Sequence, residues 1–584
     1  MRNRFGKLSV SLPSWGIPPS PAPSLLRELP VMLGGLALFY ALLALTHRWM
    51  APVTEQTQIS LAPSALPKYA MFSVLRIAIA YFLSLGFAIV YGYIAANNAK
   101  AERVMVPLLD TLQSIPVLSF LPGVMISMVA LFPTRQLGIE LGSILLIFTG
   151  QVWNMAFSFY SSLKSIPREM LEAAQVYRWS WWQTFVQLEL PYSAIGLIWN
   201  SMMSVAGGWF FLIACEMFVL GNRDLRLPGL GSYLQTAANE GNTRAILWGL
   251  VVMVAVIILI DQLIWRPVIA WGQKFKFEQV EAADEAHSPV LELLKHSKIL
   301  PLIAAASIRP ARERLDLFFA KRQAAVTAAQ DTRSHAASRW ITRVLVAALL
   351  VGIAYACVRM LVLVGSVSGF EIRGIFAGTG ATFLRVELTL ALAALWTIPV
   401  GVMIGLNPRL SAIAQPIAQI AASVPATALF PIILLMLIRV GGGLGIGSIV
   451  LLLGTQWYIL FNVIAGASAI PTDLKEVCDV YRFPRGERWR KLLLPAIFPY
   501  LITGFVTASG GAWNASIVAE YFRFRGHTFS VTGLGAVISR ATDAGNFPVL
   551  LGATIVMATL VVTVNRLLWR RLYHFASTRF TFEN

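Results

Sequence analysis

The chain has 584 residues, of which 57% are hydrophobic and only 13% charged. A soluble globular protein has about a quarter of its residues charged, and a disordered chain is poorer in large apolar residues, so this composition excludes both classes. The apolar residues fall into long runs, which predicts an integral membrane protein. The net charge of +18 fits basic cytoplasmic loops that meet membrane lipid, and we expect no nucleic-acid partner.

The N-terminal residues 1–29 are basic and rich in proline and serine, and they lack a compact apolar stretch followed by a cleavage site. We interpret them as a retained cytoplasmic tail, not as a signal peptide. Three widely spaced cysteines, Cys215, Cys357 and Cys478, form no CxxC pair. We therefore expect neither a disulfide framework nor a metal site.

Twelve apolar runs reach, or nearly reach, the roughly 20 residues that a helix needs to cross a bilayer. Six of them lie near 30–46, 72–96, 104–132, 139–163, 193–220 and 245–270. The other six lie near 341–364, 380–405, 413–438, 445–466, 497–522 and 548–571. Prolines interrupt the third run of each series. The sequence predicts an all-α membrane protein with about twelve transmembrane helices.

The two series of runs are copies of each other. Arg76 matches Arg385 at a separation of 309 positions, and several further residues match at the same separation. From the fourth run onward the separation is 304, as between Glu216 and Glu520. So many matches at constant separation do not arise by chance. Each copy has an even number of runs, so both enter the membrane from the same side, which predicts two parallel six-helix repeats.

Basic residues concentrate in the loops that follow the second, fourth and sixth runs. This bias places those loops and both termini in the cytoplasm. Residues 279–339 lie between the repeats and are much richer in charge, which predicts a cytoplasmic linker. Within the linker, Leu291–Arg322 fits either an amphipathic helix at the membrane surface or a solvated segment.

One cytoplasmic loop carries a distinct pattern in both repeats, at about 164–191 and about 468–495. The first copy reads Glu172-Ala173-Ala174, then Tyr177-Arg178, then Leu190-Pro191. The second copy reads Glu476-Val477-Cys478, then Tyr481-Arg482, then Leu494-Pro495. A polar, helix-prone loop that recurs in both copies indicates docking to a partner with two-fold symmetry. On shape alone, an ordinary surface loop remains the alternative.

This pattern resembles the coupling (EAA) loop of ABC-importer permeases. Together with the segments around Glu216 and Glu520, it makes the chain similar to the nitrate/sulfonate/taurine permease family over roughly 70–278 and 378–584. The resemblance implies two permease domains, 30–278 and 340–584, fused in one chain of a bacterial inner membrane. It also implies two ABC ATPase subunits beneath them and usually a periplasmic solute-binding protein.

The resemblance further implies which residues couple the chain to its ATPases: Glu172, Ala173, Ala174, Tyr177, Arg178, Glu476, Val477, Cys478, Tyr481 and Arg482. Two departures stand out. Arg178 and Arg482 replace the family's glycine, which questions the usual turn geometry because a side chain disfavours it. Val477 and Cys478 replace two alanines, so the two copies would grip their ATPases unequally.

No GxxxxGK[ST] sequence occurs in the chain. We therefore expect ATP and Mg on the partner ATPase, and we expect no catalytic residue, cofactor or metal in this chain.

Polar and aromatic residues inside the predicted spans are candidates for the substrate path: Glu216, Glu520, Trp209, Trp513, Asn514, Ser114 and Ser423. Buried carboxylates in spans are costly, so the glutamates would either face the path or hold helices together through ion pairs with Arg76 and Arg385. Tryptophan packs more often than it contacts a ligand. The Ser-x-Pro segments would either bend the third spans or line the path.

Two functions fit these features. The first is the permease of an ATP-driven importer, and the second is an ion-gradient-driven secondary transporter with two six-helix repeats. The secondary transporter explains the spans and the carboxylates but leaves the repeated loop unexplained. A membrane enzyme is a third class, and the sequence offers no metal or nucleophile constellation for it.

Overall fold

The structure is a computed structural model that describes residues 58–220, 223–275, 289–296, 336–439, 443–524 and 527–579, with scattered residues of 32–51 and 305–319. Helices dominate these residues. The predicted all-α class is confirmed, apart from two short hairpins described below. The predicted run 30–46 is described only at scattered positions, and residues 1–29 and most of the linker lie outside the described residues.

The first repeat contains long helices joined by short ones. Its helices are α1 Leu66–Asn97, α2 Ala99–Ser114, α3 Leu121–Leu131, α4 Leu137–Lys164, α5 Arg168–Val176, α6 Trp181–Thr184, α7 Leu190–Glu216, α8 Leu230–Asn239, α9 Thr243–Ile260 and α10 Arg266–Gly272. One linker helix, α11, covers Pro289–His296.

The second repeat contains the same series after one additional long helix. Its helices are α12 Ala336–Val364, α13 Gly369–Leu406, α14 Pro408–Ser423, α15 Ala426–Arg439, α16 Leu444–Leu452, α17 Gln456–Ser468, α18 Thr472–Val480, α19 Arg485–Arg488, α20 Leu494–Ala519, α21 Leu534–Ala544, α22 Phe547–Val564 and α23 Arg570–Arg579.

Among the described residues, eight helical segments are long and apolar enough to cross a membrane. They are Pro63–Asn97, Leu137–Lys164, Trp181–Glu216, Thr243–Gly272, Gly369–Leu406, Leu444–Ser468, Arg485–Ala519 and Phe547–Ala576. Each predicted third span instead forms two shorter helices, α2 with α3 and α14 with α15. The break falls at Ile115-Pro116 in one repeat and at Val424-Pro425 in the other. Proline cannot donate the backbone hydrogen bond that would continue a helix, so the chain breaks there and does not merely bend.

Local irregularities recur at the separation of 304 positions. A π-helical turn occupies Phe185–Glu189 and, equivalently, Trp489–Leu493. A second pair of π-turns occupies Asp261–Trp265 and Asn565–Trp569. An antiparallel hairpin follows α7 and its equivalent α20. In the first repeat, β1 Val219–Leu220 pairs with β2 Arg223–Asp224, and in the second, β3 Tyr521–Phe524 pairs with β4 His527–Ser530. The sequence reading missed these hairpins because they are short.

The chain divides into two compact units. One unit combines the described residues within 1–44, 166–198 and 260–333, and the other combines those within 45–165, 199–259 and 334–584. In the second unit α1 packs along α4, and α13 packs along α17. Gly92 and Gly401 lie at these contacts, where an added Cβ would approach Phe159 or Val463 to 2.8 Å. The matched glycines let each helix pair pack closely.

Within the first unit, Phe319 of the linker packs on the segment that follows α5. Its ring centroid lies 5.0 Å from that of Trp181 and 4.9 Å from that of Trp182. The linker region is therefore at least partly tied to the chain beside the first predicted coupling loop. The equivalent positions of the second repeat are Arg485 and Gly486, which offer no aromatic ring.

Candidate functional site

The two recurring loops fold into matched nine-residue helices, α5 and α18. Each begins after a proline that serves as N-cap, Pro167 or Pro471, since proline's fixed backbone suits a helix start. Glu172 and Glu476 are exposed. Ala174 and Cys478 occupy the same position and are both buried, with 5% exposure each. The second helix thus keeps the burial pattern of the first despite its different residues.

The carboxyl ends of α5 and α18 expose apolar side chains. Val176 and Tyr177 are 79% and 74% exposed, and Val480 and Tyr481 are 77% and 73% exposed. These helices lie outside the eight segments able to span a membrane. An exposed apolar pair at the same place on two surface helices is typical of a protein contact.

Both helices end in the same left-handed turn, with Arg178 at φ 52° and Arg482 at φ 51°. The Trp179 amide donates to the Ala174 carbonyl at 3.0 Å and the Arg178 amide donates to Gln175 at 2.9 Å, which is the Schellman motif. The second helix repeats both bonds, from Phe483 to Cys478 at 3.0 Å and from Arg482 to Asp479 at 3.1 Å. The turn that glycine usually serves is therefore retained with arginine in its place.

A buried ionic cluster centres on Glu216, at the end of α7. The carboxylate accepts a hydrogen bond from Arg76 Nη1 at 2.7 Å, one from Ser73 Oγ at 2.7 Å and one from the Gly231 amide at 2.8 Å. Arg76 also donates to both oxygens of Glu140, at 2.6 and 2.8 Å. All three charged side chains are fully buried. The cluster ties α1, α4, α7 and the start of α8 together.

The second repeat contains the equivalent cluster around Glu520. Arg385 donates to Glu520, Thr382 Oγ1 donates to the same carboxylate at 2.7 Å, and the Gly535 amide donates to it at 2.8 Å. Glu140 has no equivalent, because Leu444 stands at its position. Arg385 is 13% exposed, whereas Arg76 is fully enclosed. The two clusters share a plan but differ in size, because Arg48 also donates to Glu140, at 3.1 Å, and the first cluster therefore holds two arginines and two glutamates where the second holds one of each.

Each carboxylate also lies against a glycine at the start of a short helix. An added Cβ would lie 2.2 Å from the Glu216 carboxyl group at Gly229, and 2.1 Å from that of Glu520 at Gly533. These glycines cap α8 and α21. The carboxylate occupies the space that a side chain would take and satisfies helix N-terminal amides.

The remaining predicted path residues have different surroundings. Trp209 and Trp513 are buried, at 2% and 0% exposure, which fits packing. Ser114 and Ser423 end α2 and α14, and their side chains lie outside the described part of the structure. Asn514 accepts a hydrogen bond from the Leu118 amide at 3.5 Å. Asn514 thereby joins the second repeat to the first.

Side chains of the second repeat form hydrogen bonds with the backbone at the break in the first repeat's third span. The 3₁₀ turn Val117–Ser119 follows Pro116 and leaves backbone groups without helical partners. Asn514 of α20 accepts from one of them, and Thr554 of α22 donates to the Ser119 carbonyl at 3.1 Å. Broken backbone is tolerated inside a membrane protein where other protein groups satisfy it.

Tyr458 lies near glycines of both α7 and α20, the equivalent helices of the two repeats. An added Cβ at Gly207 would be 3.8 Å from its hydroxyl, and one at the equivalent Gly511 would be 3.5 Å from its ring. Beside Gly207, the Cβ position of Gly208 lies 2.4 Å from Gln151 Nε2. Gln151 is fully buried, and neither of its amide atoms has a hydrogen-bond partner among the described residues.

The sequence matches a known protein family twice. The profile of the family described as "Binding-protein-dependent transport system inner membrane component" matches residues 88–264 and 397–577. The two matches together cover more than half of the chain. The chain belongs to this family. The double match confirms the predicted duplication and the resemblance to nitrate, sulfonate and taurine permeases.

Individual relatives of this inner-membrane-component family are similar over part of their length. The chain is 33% identical to the bicarbonate transport system permease protein CmpB of Synechococcus elongatus over 148 residues, or 25% of this chain and 52% of CmpB. It is 29% identical to the nitrate import permease protein NrtB of Leptolyngbya laminosa over 207 residues, 35% of this chain and 69% of NrtB. It is 26% identical to the taurine transport system permease protein TauC of Escherichia coli over 209 residues, or 35% of this chain and 72% of TauC. The chain thus spans about half the length of CmpB.

The two family matches enclose both coupling-loop helices, both central glutamates and Tyr458. Arg76 and Arg385 lie just outside the matched ranges. Sequence reasoning named the glutamates and offered the two arginines as possible partners. It missed Glu140, Gln151 and Tyr458, because each differs from the residue at the matched position of the other repeat, which is Leu444, Thr455 or Asn154.

Proposed function

We propose that this chain is the transmembrane permease subunit of an ATP-driven ABC importer for a small solute. Its permease domains, 30–278 and 340–584, would form the translocation path together. Two separate ABC ATPase subunits would bind ATP and Mg and drive transport, and a periplasmic solute-binding protein would deliver the solute. The matched helices α5 and α18, each ending in an exposed apolar pair, carry this proposal.

The proposed arrangement in the membrane has about twelve transmembrane helices in two parallel repeats. Residues 1–29, the linker 279–339, both coupling loops and both termini would lie in the cytoplasm of a bacterial cell. The positive-inside bias of the loops supports this orientation. The chain itself would hold no catalytic residue, cofactor or metal.

In the proposed mechanism, closure of the two ATPases pulls on α5 and α18. Glu172 and Glu476 are exposed and available to an ATPase groove, as are Ala173 and Val477, while the buried Ala174 and Cys478 seat each helix on its own chain. Tyr177, Arg178, Tyr481 and Arg482 would complete the contact. Because α7 and α20 follow these loops, movement of the helices would pass directly into the spans that end at Glu216 and Glu520.

The proposed solute is a small oxyanion or sulfonate, the class for which CmpB, NrtB and TauC are named. A carboxylate pair would repel an anion unless it were neutralised. Arg76 contacts Glu216 and Arg385 contacts Glu520, so each carboxylate is balanced by an arginine. We accordingly propose that the glutamates fix the helices around the path and do not contact the solute.

The proposed path follows the seam between α7 and α20. Tyr458 lies there between Gly207 and Gly511, and the unpaired amide of Gln151 packs on the neighbouring glycine. A buried amide without a partner is costly, and a passing oxyanion would supply the missing acceptor. Tyr458 would close the seam when no solute is present.

The test separates an ABC importer from the alternative, an ion-gradient-driven secondary transporter. The double variant Glu172→Ala with Glu476→Ala should lose solute uptake and solute-stimulated ATP hydrolysis in proteoliposomes containing the ATPase. Glu240→Ala is the control, since Glu240 is an exposed glutamate at the end of α8 and belongs to neither coupling loop. Uptake that is driven by an ion gradient, at the same rate in the wild type and in the double variant, would establish the secondary transporter.

A further inference from the structure

The end of each coupling helix carries an unfavourable residue. Arg178 and Arg482 adopt the left-handed conformation, at φ 52° and 51°, which places Cβ against the backbone for any L-residue other than glycine. Glycine is the usual residue at this point of a Schellman motif. A disfavoured conformation that occurs in both copies, where glycine would relieve it, points to a task for the side chain.

Neither guanidinium has a partner within the part of the chain that the structure describes. Both arginines are exposed, and no hydrogen bond or ion pair of either side chain occurs among the described residues. The nearest acidic residue on the second helix, Asp479, pairs with Arg488 at 2.8 Å. Its equivalent in the first repeat is Gln175, which carries no charge. The strain therefore does not serve an internal ion pair.

Each arginine is presented beside an exposed tyrosine. Tyr177 precedes Arg178, and Tyr481 precedes Arg482, so both helices end in the same exposed Tyr-Arg pair. Tyrosine and arginine are enriched where binding energy concentrates in protein interfaces. Both guanidinium groups are exposed, and each offers a planar fork of five donors that a partner could use.

We propose that Arg178 and Arg482 each form an ion pair with a carboxylate on the ATPase subunit that binds the coupling helix. This inference rests on the proposed function and adds the chemistry of the contact. Each ATPase would carry an acidic side chain beside an apolar pocket for the tyrosine. A carboxylate fits because it accepts two parallel hydrogen bonds from one guanidinium.

The experiment uses the full-length chain and the ATPase subunit that co-purifies with it, isolated separately. Equilibrium binding is measured in detergent against NaCl concentration. The double variant Arg178→Gly with Arg482→Gly should bind about tenfold more weakly at low salt, and the difference should disappear at high salt. The same variant should unfold at a temperature ~3 °C higher, because glycine removes the strain at both turns.

Two further variants separate charge from backbone geometry. Arg178→Asn with Arg482→Asn tolerates the left-handed turn without charge and should bind as weakly as the glycine variant. Arg178→Lys with Arg482→Lys keeps the charge and should recover most of the affinity. Wild-type affinity and salt dependence in the glycine and asparagine variants would overturn the ion pair.

The two proposals fail in distinguishable ways. If Glu172→Ala with Glu476→Ala abolishes ATPase binding while the arginine variants bind normally, the importer function stands and the ion pair is wrong. If the wild-type chain binds no ABC ATPase, both are wrong. A glycine variant that unfolds at a lower temperature than the wild type would contradict the strain on which the inference depends.

Discussion

Replacing Gly229 or Gly533 by alanine tests the two glutamate clusters directly. The new Cβ would lie 2.2 Å from the Glu216 carboxyl carbon in the first case and 2.1 Å from Glu520 Oε2 in the second. Carbon and oxygen atoms cannot approach so closely without bonding. Either the helix start or the carboxylate must therefore move.

The carboxylate is poorly placed to move. Glu216 accepts from Arg76 at 2.7 Å and from the Gly231 amide at 2.8 Å, so a shift of about 1 Å lengthens several charge-assisted bonds together. Overpacking alone costs ~1–3 kcal/mol. Weakening a buried ion pair raises the cost toward the ~3–5 kcal/mol found when one partner of such a pair is removed. We expect each alanine variant to lose about 3 kcal/mol of stability.

Thermal unfolding of the purified protein in detergent measures this loss. For units of 150–250 residues, the size of one repeat, ~3 kcal/mol corresponds to a fall of at least ~6 °C in apparent Tm. Gly86→Ala and Gly380→Ala are the controls. Both glycines lie inside long helices, and an added Cβ meets nothing within 4 Å. Alanine favours a helix by up to ~1 kcal/mol over glycine, so the controls should be unchanged or more stable.

This explanation would be refuted if the Gly229→Ala or Gly533→Ala variant had the same apparent Tm as its control variant. It would mean that the carboxylate moves freely and that the cluster does not hold α8 or α21 in place. Equal losses in all four variants would mean that any side chain at a glycine is harmful, whatever it contacts. Only a loss confined to positions 229 and 533 supports the clash with the glutamates.

Further predictions concern the seam, the difference between the clusters, and pH. Tyr458→Ala should raise passive solute leak in proteoliposomes without ATP, and a leak equal to the wild type would show that Tyr458 does not close the path. Glu520→Gln should lower the apparent Tm more than Glu216→Gln, because Arg76 keeps Glu140 whereas Arg385 is left without a carboxylate; the reverse order would contradict this. Lys164 and Tyr160 donate hydrogen bonds to Glu102 and hold the pKa of its carboxyl below the ordinary value of 4.5. A carboxyl group whose pKa is lowered in the folded state stabilises the folded protein at pH values above 4.5, and this stabilisation is lost as the pH falls through the lowered pKa. The stability of the Glu102→Gln variant should therefore depend less steeply on pH below 4.5, as thermal unfolding at a series of pH values would measure.

The sequence was sufficient for several features that occur twice, although not for the hairpins or the π-turns. The duplication, the position of the two recurring loops and the central glutamates all follow from residues matched at a constant separation. Arg76 and Arg385 were accessible as partners because a buried carboxylate needs a counter-charge. The sequence predicted an interruption of the third span, since Pro116 and Pro425 prevent helical hydrogen bonding, but not that each span divides into two helices.

Features that occur once were not predictable in this way. Glu140 lies in the first turn of α4, the fourth span, and nothing in its sequence neighbourhood indicates that it meets Arg76. Tyr458 and Gln151 look like ordinary residues of an apolar run, and only their positions against the glycines of α7 and α20 distinguish them. The left-handed arginines pose a different problem. Their sequence position suggested that the glycine turn was lost, but the hydrogen bonds of the helix end impose the turn whichever residue stands there.

Fusion of the two repeats gives a physical reason for these unmatched residues. Two identical chains around a two-fold axis would place any change on both sides of the seam at once. In one chain, Tyr458 and its smaller equivalent Asn154 can differ, whereas two identical chains would hold the same residue at both positions. The same freedom allows Glu140 to strengthen one cluster while Arg385 of the other stays partly exposed. Helices α5 and α18 show the opposite behaviour, because their length, caps and left-handed arginines agree in both repeats. Divergence at the seam and agreement between α5 and α18 are what the proposed pair of ATPases, acting on one shared path, would require.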